Sequence, residues 1–212
     1  YLLGHSEFYG LDFVVSPAEI IPRPATELLV ERADNWLRSH PGRRAAADVG
    51  TGSGCIAVSI ASQCSQVQMI ATDISWEALQ IARQNACNHG LSQRLRLVQG
   101  NLLTAAAGTF DLVCANLPYI PRPGLAELSV ARHEPRLALD GGPDGLALIQ
   151  ALLADAHRWL APGGLLLLEM QFDQGEAIRQ LARRFFTNPK ITIHPDLAGL
   201  PRLVEIEDVR MS

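Results

Sequence analysis

Four consecutive residues, Asn116-Leu117-Pro118-Tyr119, follow an apolar run that begins at Phe110. Such a run predicts a buried strand, and Asn and Pro directly after it predict a turn. The turn would present the side-chain carbonyl of Asn116, the backbone carbonyl of Leu117 and the flat ring of Tyr119. Two acceptors beside an aromatic face suit a planar amino group, either of a carboxamide or of a nucleobase.

The chemistry that this turn could support is attack by a nitrogen atom. An amide nitrogen is a poor nucleophile, because its lone pair is delocalised into the carbonyl. Acceptors that take both of its N–H bonds favour a pyramidal nitrogen and stabilise the positive charge that develops there. Pro118 stiffens the turn by fixing its own φ and restricting Leu117. We therefore predict a catalytic role for Asn116, Leu117, Pro118 and Tyr119; an ordinary strand-to-loop turn is the alternative.

A second signal lies upstream, in the glycine-rich sequence Gly50-Thr51-Gly52-Ser53-Gly54. Glycines allow a sharp turn and a close approach of ligand to backbone, and free N–H groups of a following helix attract a carboxylate. Asp73, at the end of the next predicted strand, could accept bonds from two ribose hydroxyls. A dinucleotide fingerprint would need glycine at position 55, where this chain has Cys55. Gly-x-Gly-x-Gly followed by a strand-end Asp is more typical of S-adenosylmethionine sites.

Further residues near these turns complete the predicted cofactor site. Asn101 follows the third predicted strand, where a polar side chain could bind an adenine amine, although a plain loop role is equally open. Leu102 would then pack on the adenine ring. No metal site is expected. The predicted cofactor-binding residues are Gly50, Thr51, Gly52, Ser53, Gly54, Asp73, Ile74, Asn101, Leu102 and Asn116.

The elements that position these residues alternate between strand and helix patterns from Ala45 onward. The predicted strands are 45–49, 67–72, 94–99, 110–115, 164–170, 190–194 and 202–208, and the predicted helices are 54–63, 75–89, 145–160 and 174–186. Such alternation predicts an α/β fold with a parallel sheet covered on both faces. The short connection between the last two strands suits an antiparallel pair at the edge. Upstream, a hairpin within 6–16 and a helix over 26–37 are expected.

The length and composition of the chain limit the classes of protein to which it can belong. With 212 residues and 48% hydrophobic content, the chain suits one α/β domain. A net charge of −4 argues against a general nucleic-acid binder. The four cysteines show no Cys-x-x-Cys spacing, which favours free thiols over a disulfide or zinc site. The longest apolar stretches are too short to span a bilayer.

The motifs together resemble the HemK-type protein-(glutamine-N5) methyltransferases, which modify peptide-chain release factors. The resemblance is carried by the glycine turn, the Asn116 corner and five other segments. These are Gly4 with Glu7-Phe8-Tyr9-Gly10-Leu11, Ile21-Pro22-Arg23-Pro24 with Thr26-Glu27, His133-Glu134-Pro135, Ala138 to Leu146, and Asp196-Leu197-Ala198-Gly199. It implies a Rossmann-like fold and transfer of a methyl group from S-adenosylmethionine, leaving S-adenosylhomocysteine. The acceptor would be the glutamine of a Gly-Gly-Gln loop, so that the enzyme serves translation termination.

The sequence departs from this family at four positions. Leu117 replaces the first proline of the family's Asn-Pro-Pro-Tyr, Ala25 replaces an acidic residue, Asn101 an aspartate and Gln171 a glycine. Similar enzymes carry a small N-terminal helical domain that helps to dock the substrate. We therefore read residues 1–40 as the hairpin and helix that lead from such a domain, and 41–212 as the catalytic domain.

Two alternative substrates remain open from the sequence. One is a glutamine of a ribosomal protein, and the other is adenine N6 in nucleic acid, because the corner also suits an exocyclic amine. Adenine methylation would need base flipping and a basic surface that binds the nucleic acid strand. The acidic net charge of the chain disfavours such a surface. A SAM-binding module without activity is a further alternative, suggested by Leu117. We expect a monomeric cytoplasmic enzyme whose partners are release factors, with no direct contact to nucleic acid and none to a membrane.

Overall fold

The computed structural model describes residues 4–16, 22–125 and 135–208. Its strands are β1 (His5–Phe8), β2 (Leu11–Val14), β3 (Ala45–Val49), β4 (Gln68–Asp73), β5 (Leu95–Gln99), β6 (Phe110–Ala115), β7 (Leu160–Glu169), β8 (Lys190–Pro195) and β9 (Pro201–Glu207). Its helices are α1 (Pro24–Ser39), α2 (Cys55–Gln63), α3 (Trp76–Asn88), α4 (Arg122–Leu125), α5 (Ala147–Trp159) and α6 (Gly175–Phe185), with a short 3-10 helix at Arg136–Ala138.

Strands β3 to β9 form one seven-stranded sheet in the order β5-β4-β3-β6-β7-β9-β8. The first five of these neighbours pair in parallel, whereas β9 is antiparallel to both β7 and β8. The predicted α/β fold, with its mostly parallel sheet and terminal antiparallel pair, is confirmed. This order places β3, where the glycine turn begins, beside β6, where the Asn116 corner begins.

Alternate residues of the central strands face opposite sides of the sheet. Leu112 and Leu165 enter a core cluster with residues of α1, α2 and α3. Their neighbours Val113 and Leu166 enter a second cluster with residues of α5 and α6. The near-continuous apolar runs of β6 and β7 follow from this burial on both faces. Side chains that leave these strands at odd and even positions therefore meet different helices.

Strand β7 begins at Leu160, earlier than the predicted start at residue 164. The sequence Pro162-Gly163-Gly164 predicts a turn. The short strand pairing that precedes it could therefore not be recognised from the sequence. Buried Leu160 lies opposite Phe110, and an irregularity between Phe110 and Leu112 takes up the extra residues of β7 before regular pairing resumes at Leu165. The remaining predicted elements match the observed ones to within two residues at each end.

The N-terminal hairpin packs on the same cluster as α1 to α3. Its turn residues Tyr9 and Gly10 both have positive φ, 51° and 72°, which matches the twist of the flanking strands. Phe8 and Phe13 are buried in the shared cluster. The domain division at residues 40 and 41 stays a prediction.

Some sequence motifs extend beyond the described residues. Ile21, His133 and Glu134 lie outside them. Within 4–16, 22–125 and 135–208, no helix is both long and apolar enough to cross a bilayer.

Asn85 ties the hairpin to the body of the fold. Its side chain is fully buried in α3. Its Oδ1 accepts from the Val14 N–H at 2.8 Å, and its Nδ2 donates to the carbonyls of Val14 at 2.9 Å and Ser53 at 2.8 Å. One amide thus satisfies the edge of β2 and the end of the glycine turn together.

We predict that Asn85→Ala lowers the free energy of unfolding by about 3 kcal/mol, because the partly buried N–H and carbonyl of Val14 and the buried carbonyl of Ser53 all lose this partner. Urea denaturation measures this change. Asn88→Ala, at an exposed position of the same helix, should change it by no more than about 0.5 kcal/mol. Equal effects of the two variants would contradict the bridging role.

Candidate active site

The carboxyl ends of three parallel strands meet at one level of the sheet. Val49 of β3 lies opposite Thr72 of β4 and opposite Ala115 of β6. The chain therefore leaves each strand at the same edge: into the glycine turn after Val49, into Asp73, and into Asn116. Open α/β sheets bind ligands at this edge.

The glycine turn has a backbone that other residues would strain. Gly50, Gly52 and Gly54 have φ of 72°, 55° and 80°. A Cβ at position 50 would lie 3.0 Å from Cδ2 of Leu117, and one at position 54 would lie 3.1 Å from Cβ of Ala82. The N–H groups of Gly50 and Thr51 both donate to the Thr72 carbonyl at 2.9 Å. The turn is thereby fixed against β4, and α2 starts directly after it.

Asp48, just before the turn, holds it from inside the protein. Its Oδ2 accepts from the Thr51 hydroxyl at 2.6 Å and from the Ala57 N–H at 3.2 Å, while its Oδ1 has no hydrogen-bond partner. The side chain is completely buried. Burial therefore raises the pKa of Asp48 to about 7. Sequence reasoning assigned no role to this residue, although a carboxylate within an apolar strand was a visible signal.

Asp73 is held by backbone groups on both sides. Its Oδ2 accepts from the Gly52 N–H at 2.9 Å, and its Oδ1 accepts from the Ser75 N–H at 2.9 Å. Ser75 in turn caps α3 by accepting from the Ala78 N–H at 3.1 Å. A carboxylate has about four acceptor sites, so two remain for a ligand's hydroxyl groups. The predicted contact with ribose stays a prediction.

A cavity of about 470 Å³ collects most of the predicted residues. The residues from the predicted sets that line it are Gly50, Thr51, Gly52, Ser53, Asp73, Ile74, Asn101, Leu102, Asn116, Leu117 and Pro118. Gly54 lies behind it, at the start of α2. Asn101 is exposed, and Leu102 has the unusual φ of 52°. Pro22, Arg23 and Thr26, which precede or begin α1, also contribute to the wall.

Tyr119 is the one predicted site residue whose side chain turns away from this wall. It is not among the residues that line the cavity. Its hydroxyl lies 3.5 Å from Oε1 of Glu169. Burial, followed by the charge of Glu169, raises the pKa of Tyr119 to about 12. A stacking role for the ring stays a prediction.

Asn116 is connected, directly to Thr26 and through it to Glu169, with two residues that the sequence analysis missed as site residues. Its Nδ2 donates to Oγ1 of Thr26 at 3.2 Å, and the Thr26 hydroxyl donates to Oε2 of Glu169 at 2.6 Å. Thr26 and Glu169 are only 2% and 3% exposed. A carboxylate that ends the apolar run 165–168 was the available signal for Glu169.

The site is built from hydrogen-bonding groups and not from metal ligands. Among the residues that the structure describes, no group of three or more His, Cys, Asp or Glu could hold a metal ion. A glycine turn, a strand-end acid and a polar corner around one cavity, on this strand order, define the S-adenosylmethionine-dependent methyltransferase class of fold. The family described as Methyltransferase small domain accordingly matches residues 19–132.

Proteins with similar sequences assign the chain to one family within this class of methyltransferases. The release factor glutamine methyltransferase of Moorella thermoacetica is 47% identical over 204 residues, which cover 95% of this chain and 72% of that protein. The protein of the same name from Nitratidesulfovibrio vulgaris (strain Hildenborough) is 42% identical, over 96% of this chain and 70% of its own length. The chain belongs to the release factor glutamine methyltransferase family, and its methyl donor is S-adenosylmethionine.

A solved structure shows the same fold at much lower identity. The hMettl16 catalytic domain, in complex with the MAT2A 3'UTR hairpin 6, superposes with a TM-score of 0.77. It is 14% identical and is matched over 96% of this chain and 77% of that one. The arrangement of strands is therefore shared well beyond the family.

Asp48 makes the stability of the ligand-free enzyme depend on pH. The folded state binds a proton more tightly than the unfolded state, because the pKa rises from 3.8 to about 7. This contribution to stability is present at low pH and is lost as pH rises from about 4 to about 7. Asp48→Asn cannot ionise and still offers an oxygen to Thr51 and Ala57.

We predict that the Tm of Asp48→Asn, relative to wild type, increases as pH is raised through that window. Calorimetry at a series of pH values measures the difference. Asp155→Asn, at a half-exposed position on α5, should follow the wild-type curve. Parallel curves for Asp48→Asn and wild type would contradict the prediction.

Proposed function

We propose that this enzyme transfers a methyl group from S-adenosylmethionine to the side-chain amide nitrogen of the glutamine in the Gly-Gly-Gln loop of peptide-chain release factors. The observation that carries the proposal is the Asn116 corner, which opens into the same cavity as the glycine turn. The names of the curated relatives favour a release factor over a ribosomal protein or an adenine base as substrate.

The residues around the cavity fit the cofactor. Its volume of about 470 Å³ is in the range of small-molecule sites. The absence of Cβ atoms at Gly50 and Gly52, with the N–H groups at the start of α2, suits the carboxylate end of the cofactor. Asp73 would bind the ribose, and Ile74 and Leu102 would enclose the adenine, with Asn101 at its amine. The cofactor supplies an electrophilic methyl group on a positively charged sulfur.

The corner would act on the substrate by alignment. The amide NH2 would donate one hydrogen to Oδ1 of Asn116 and the other to the carbonyl of Leu117. The nitrogen would gain positive charge as its bond to the methyl carbon forms and the methyl–sulfur bond breaks, with that electron pair staying on the sulfur, so both acceptors would stabilise the developing charge. The nitrogen would then release one proton to solvent water. Alignment of this type contributes on the order of 7–11 kcal/mol in favourable cases. No strong base is needed at the nitrogen.

This function implies a protein partner. A release factor must bring its glutamine to the edge of the cavity, and we propose direct contact between the two proteins. Because release factors act in translation, we propose a cytoplasmic location, with the enzyme acting as a monomer.

We expect that radiolabelled S-adenosylmethionine labels a wild-type release factor but not one in which the glutamine of the Gly-Gly-Gln loop is replaced by alanine. Scintillation counting and mass spectrometry of the loop peptide measure the transfer. Equal labelling of both release factors would exclude the assigned acceptor. Labelling of a ribosomal protein instead would redirect the proposal to that substrate.

We further predict opposite effects for two site variants. Asn116→Ala should lower kcat by about 10²–10³-fold, the usual loss of one preorganised hydrogen-bonding group, and leave the Kd for the cofactor within about twofold. Asp73→Ala should raise that Kd by on the order of tenfold, through the loss of a charged acceptor. Steady-state kinetics and calorimetric titration separate the two effects, with Asn88→Ala as the control. An Asn116→Ala enzyme with wild-type kcat would remove the corner from the mechanism.

A further inference from the structure

Three polar side chains from distant parts of the sequence form one series of hydrogen bonds that leads from the cavity wall into the protein interior. Asn116 follows β6, Glu169 ends β7, and Thr26 lies in the first turn of α1. The amide nitrogen of Asn116 donates to Thr26 at 3.2 Å, and Thr26 donates to Glu169 at 2.6 Å. Only Asn116 and Thr26 of the three line the cavity.

The fold brings these residues together through strand alternation. Leu112 and Cys114 of β6 face the cluster that contains α1, as do Leu165 and Leu167 of β7. Asn116 and Glu169 continue these alternations. Because Ala115 lies opposite Leu168, the two side chains emerge side by side beneath the start of α1.

The direction of the chain of hydrogen bonds is fixed by its charged end. An ionised carboxylate can only accept, so Thr26 must give its single hydroxyl proton to Glu169. The oxygen of Thr26 can then only accept from Asn116. The Asn116 group that faces Thr26 must therefore be its NH2. Its carbonyl oxygen is consequently the atom left to accept a hydrogen bond on the cavity side.

We infer that Thr26 and Glu169 are positioning residues that hold the Asn116 amide with its oxygen, and not its nitrogen, toward the substrate. The inference rests on the proposed function, because only an acceptor at this point can take an N–H bond of a glutamine amide. If the Asn116 amide were reversed, its NH2 would face an N–H of the substrate amide, and no hydrogen bond could form. Neither residue contacts the reacting atoms; both act through Asn116.

The surroundings of Glu169 bear on its ionisation. The hydroxyls of Thr26 and Tyr119 contact its carboxylate, and the charges of Arg23 and Arg202 act on it. Burial is the largest influence and raises the pKa of Glu169, while the Thr26 hydrogen bond and the two arginines oppose the shift. The positive end of the α1 dipole also favours the ionised form. Protonation would let Glu169 donate to Thr26, and the orientation of Asn116 would no longer be enforced.

The first test distinguishes the effect of the Thr26 hydroxyl from the effect of the side-chain shape of Thr26. Thr26→Val keeps the shape and removes the hydroxyl, whereas Thr26→Ser keeps the hydroxyl. We expect Thr26→Val to lower kcat for release factor methylation by about tenfold, roughly the contribution of one hydrogen bond. Thr26→Ser should stay within about twofold of wild type, and the cofactor Kd of both should be unchanged. Ser59→Ala removes another buried hydroxyl, one without a hydrogen-bond partner, and should leave kcat unchanged.

The second test uses Glu169→Gln. A glutamine can both donate and accept, so it no longer fixes the direction of the hydrogen bonds from Asn116 through Thr26. In wild type, kcat should fall as pH is lowered and Glu169 becomes protonated. In Glu169→Gln, kcat should be reduced at neutral pH by on the order of tenfold, and this acidic decline should disappear. The variant also serves if Thr26→Val fails to fold, as judged by its Tm and cofactor binding.

The outcomes are distinct. Wild-type kcat in Thr26→Val, an equal loss in Thr26→Ser and Thr26→Val, or an unchanged acidic decline in Glu169→Gln would each overturn the inference. A wild-type enzyme that does not methylate the release factor would instead overturn the proposed function, before any variant is compared.

Discussion

The parallel register of β3, β4 and β6 is the constraint on which the rest of the site depends. Val49 lies level with Thr72 and Ala115, so the glycine turn, Asp73 and Asn116 leave the sheet at one height. Gly52 can then donate to Asp73, and the turn becomes one wall of the cavity that contains Asn116. A shift of one residue in β6 would move Asn116 to the opposite face of the sheet, away from Thr26 and Glu169.

The same edge also accounts for the two buried carboxylates. Asp48 and Glu169 lie on the face covered by α1 and α2, and each accepts a bond from the first turn of one of these helices: Asp48 from Ala57, Glu169 from Thr26. Helix N-termini stabilise negative charge, which offsets part of the cost of removing a carboxylate from water. In both cases the buried acid orders a neighbouring loop. Burying these acids therefore lowers the stability of the fold, but it fixes the groups of the site before the substrate binds.

The sequence predicted the fold more fully than the site. Strand and helix patterns are local, so apolar periodicity located the long elements. It missed the short helix α4, the 3-10 helix at Arg136–Ala138 and the pairing of Leu160 ahead of Pro162-Gly163-Gly164. Eleven predicted site residues also line the cavity, because strand ends carry recognisable turn residues. Thr26 and Glu169 were missed because their contact spans 143 residues. No local pattern encodes a hydrogen bond between segments so far apart.

Leu117 packs against the glycine turn from the position where the similar enzymes have their first proline. Its side chain is buried among the residues that face α5 and α6. A Cβ on Gly50 would approach its Cδ2 to 3.0 Å, so the side chain packs directly on the glycine turn. Pro118 still fixes its own φ and restricts Leu117. Packing against the turn therefore takes over the stiffening that a second ring would give. It also links the two halves of the site, because a displacement of the turn must move Leu117, and with it the carbonyl proposed to bind the amide.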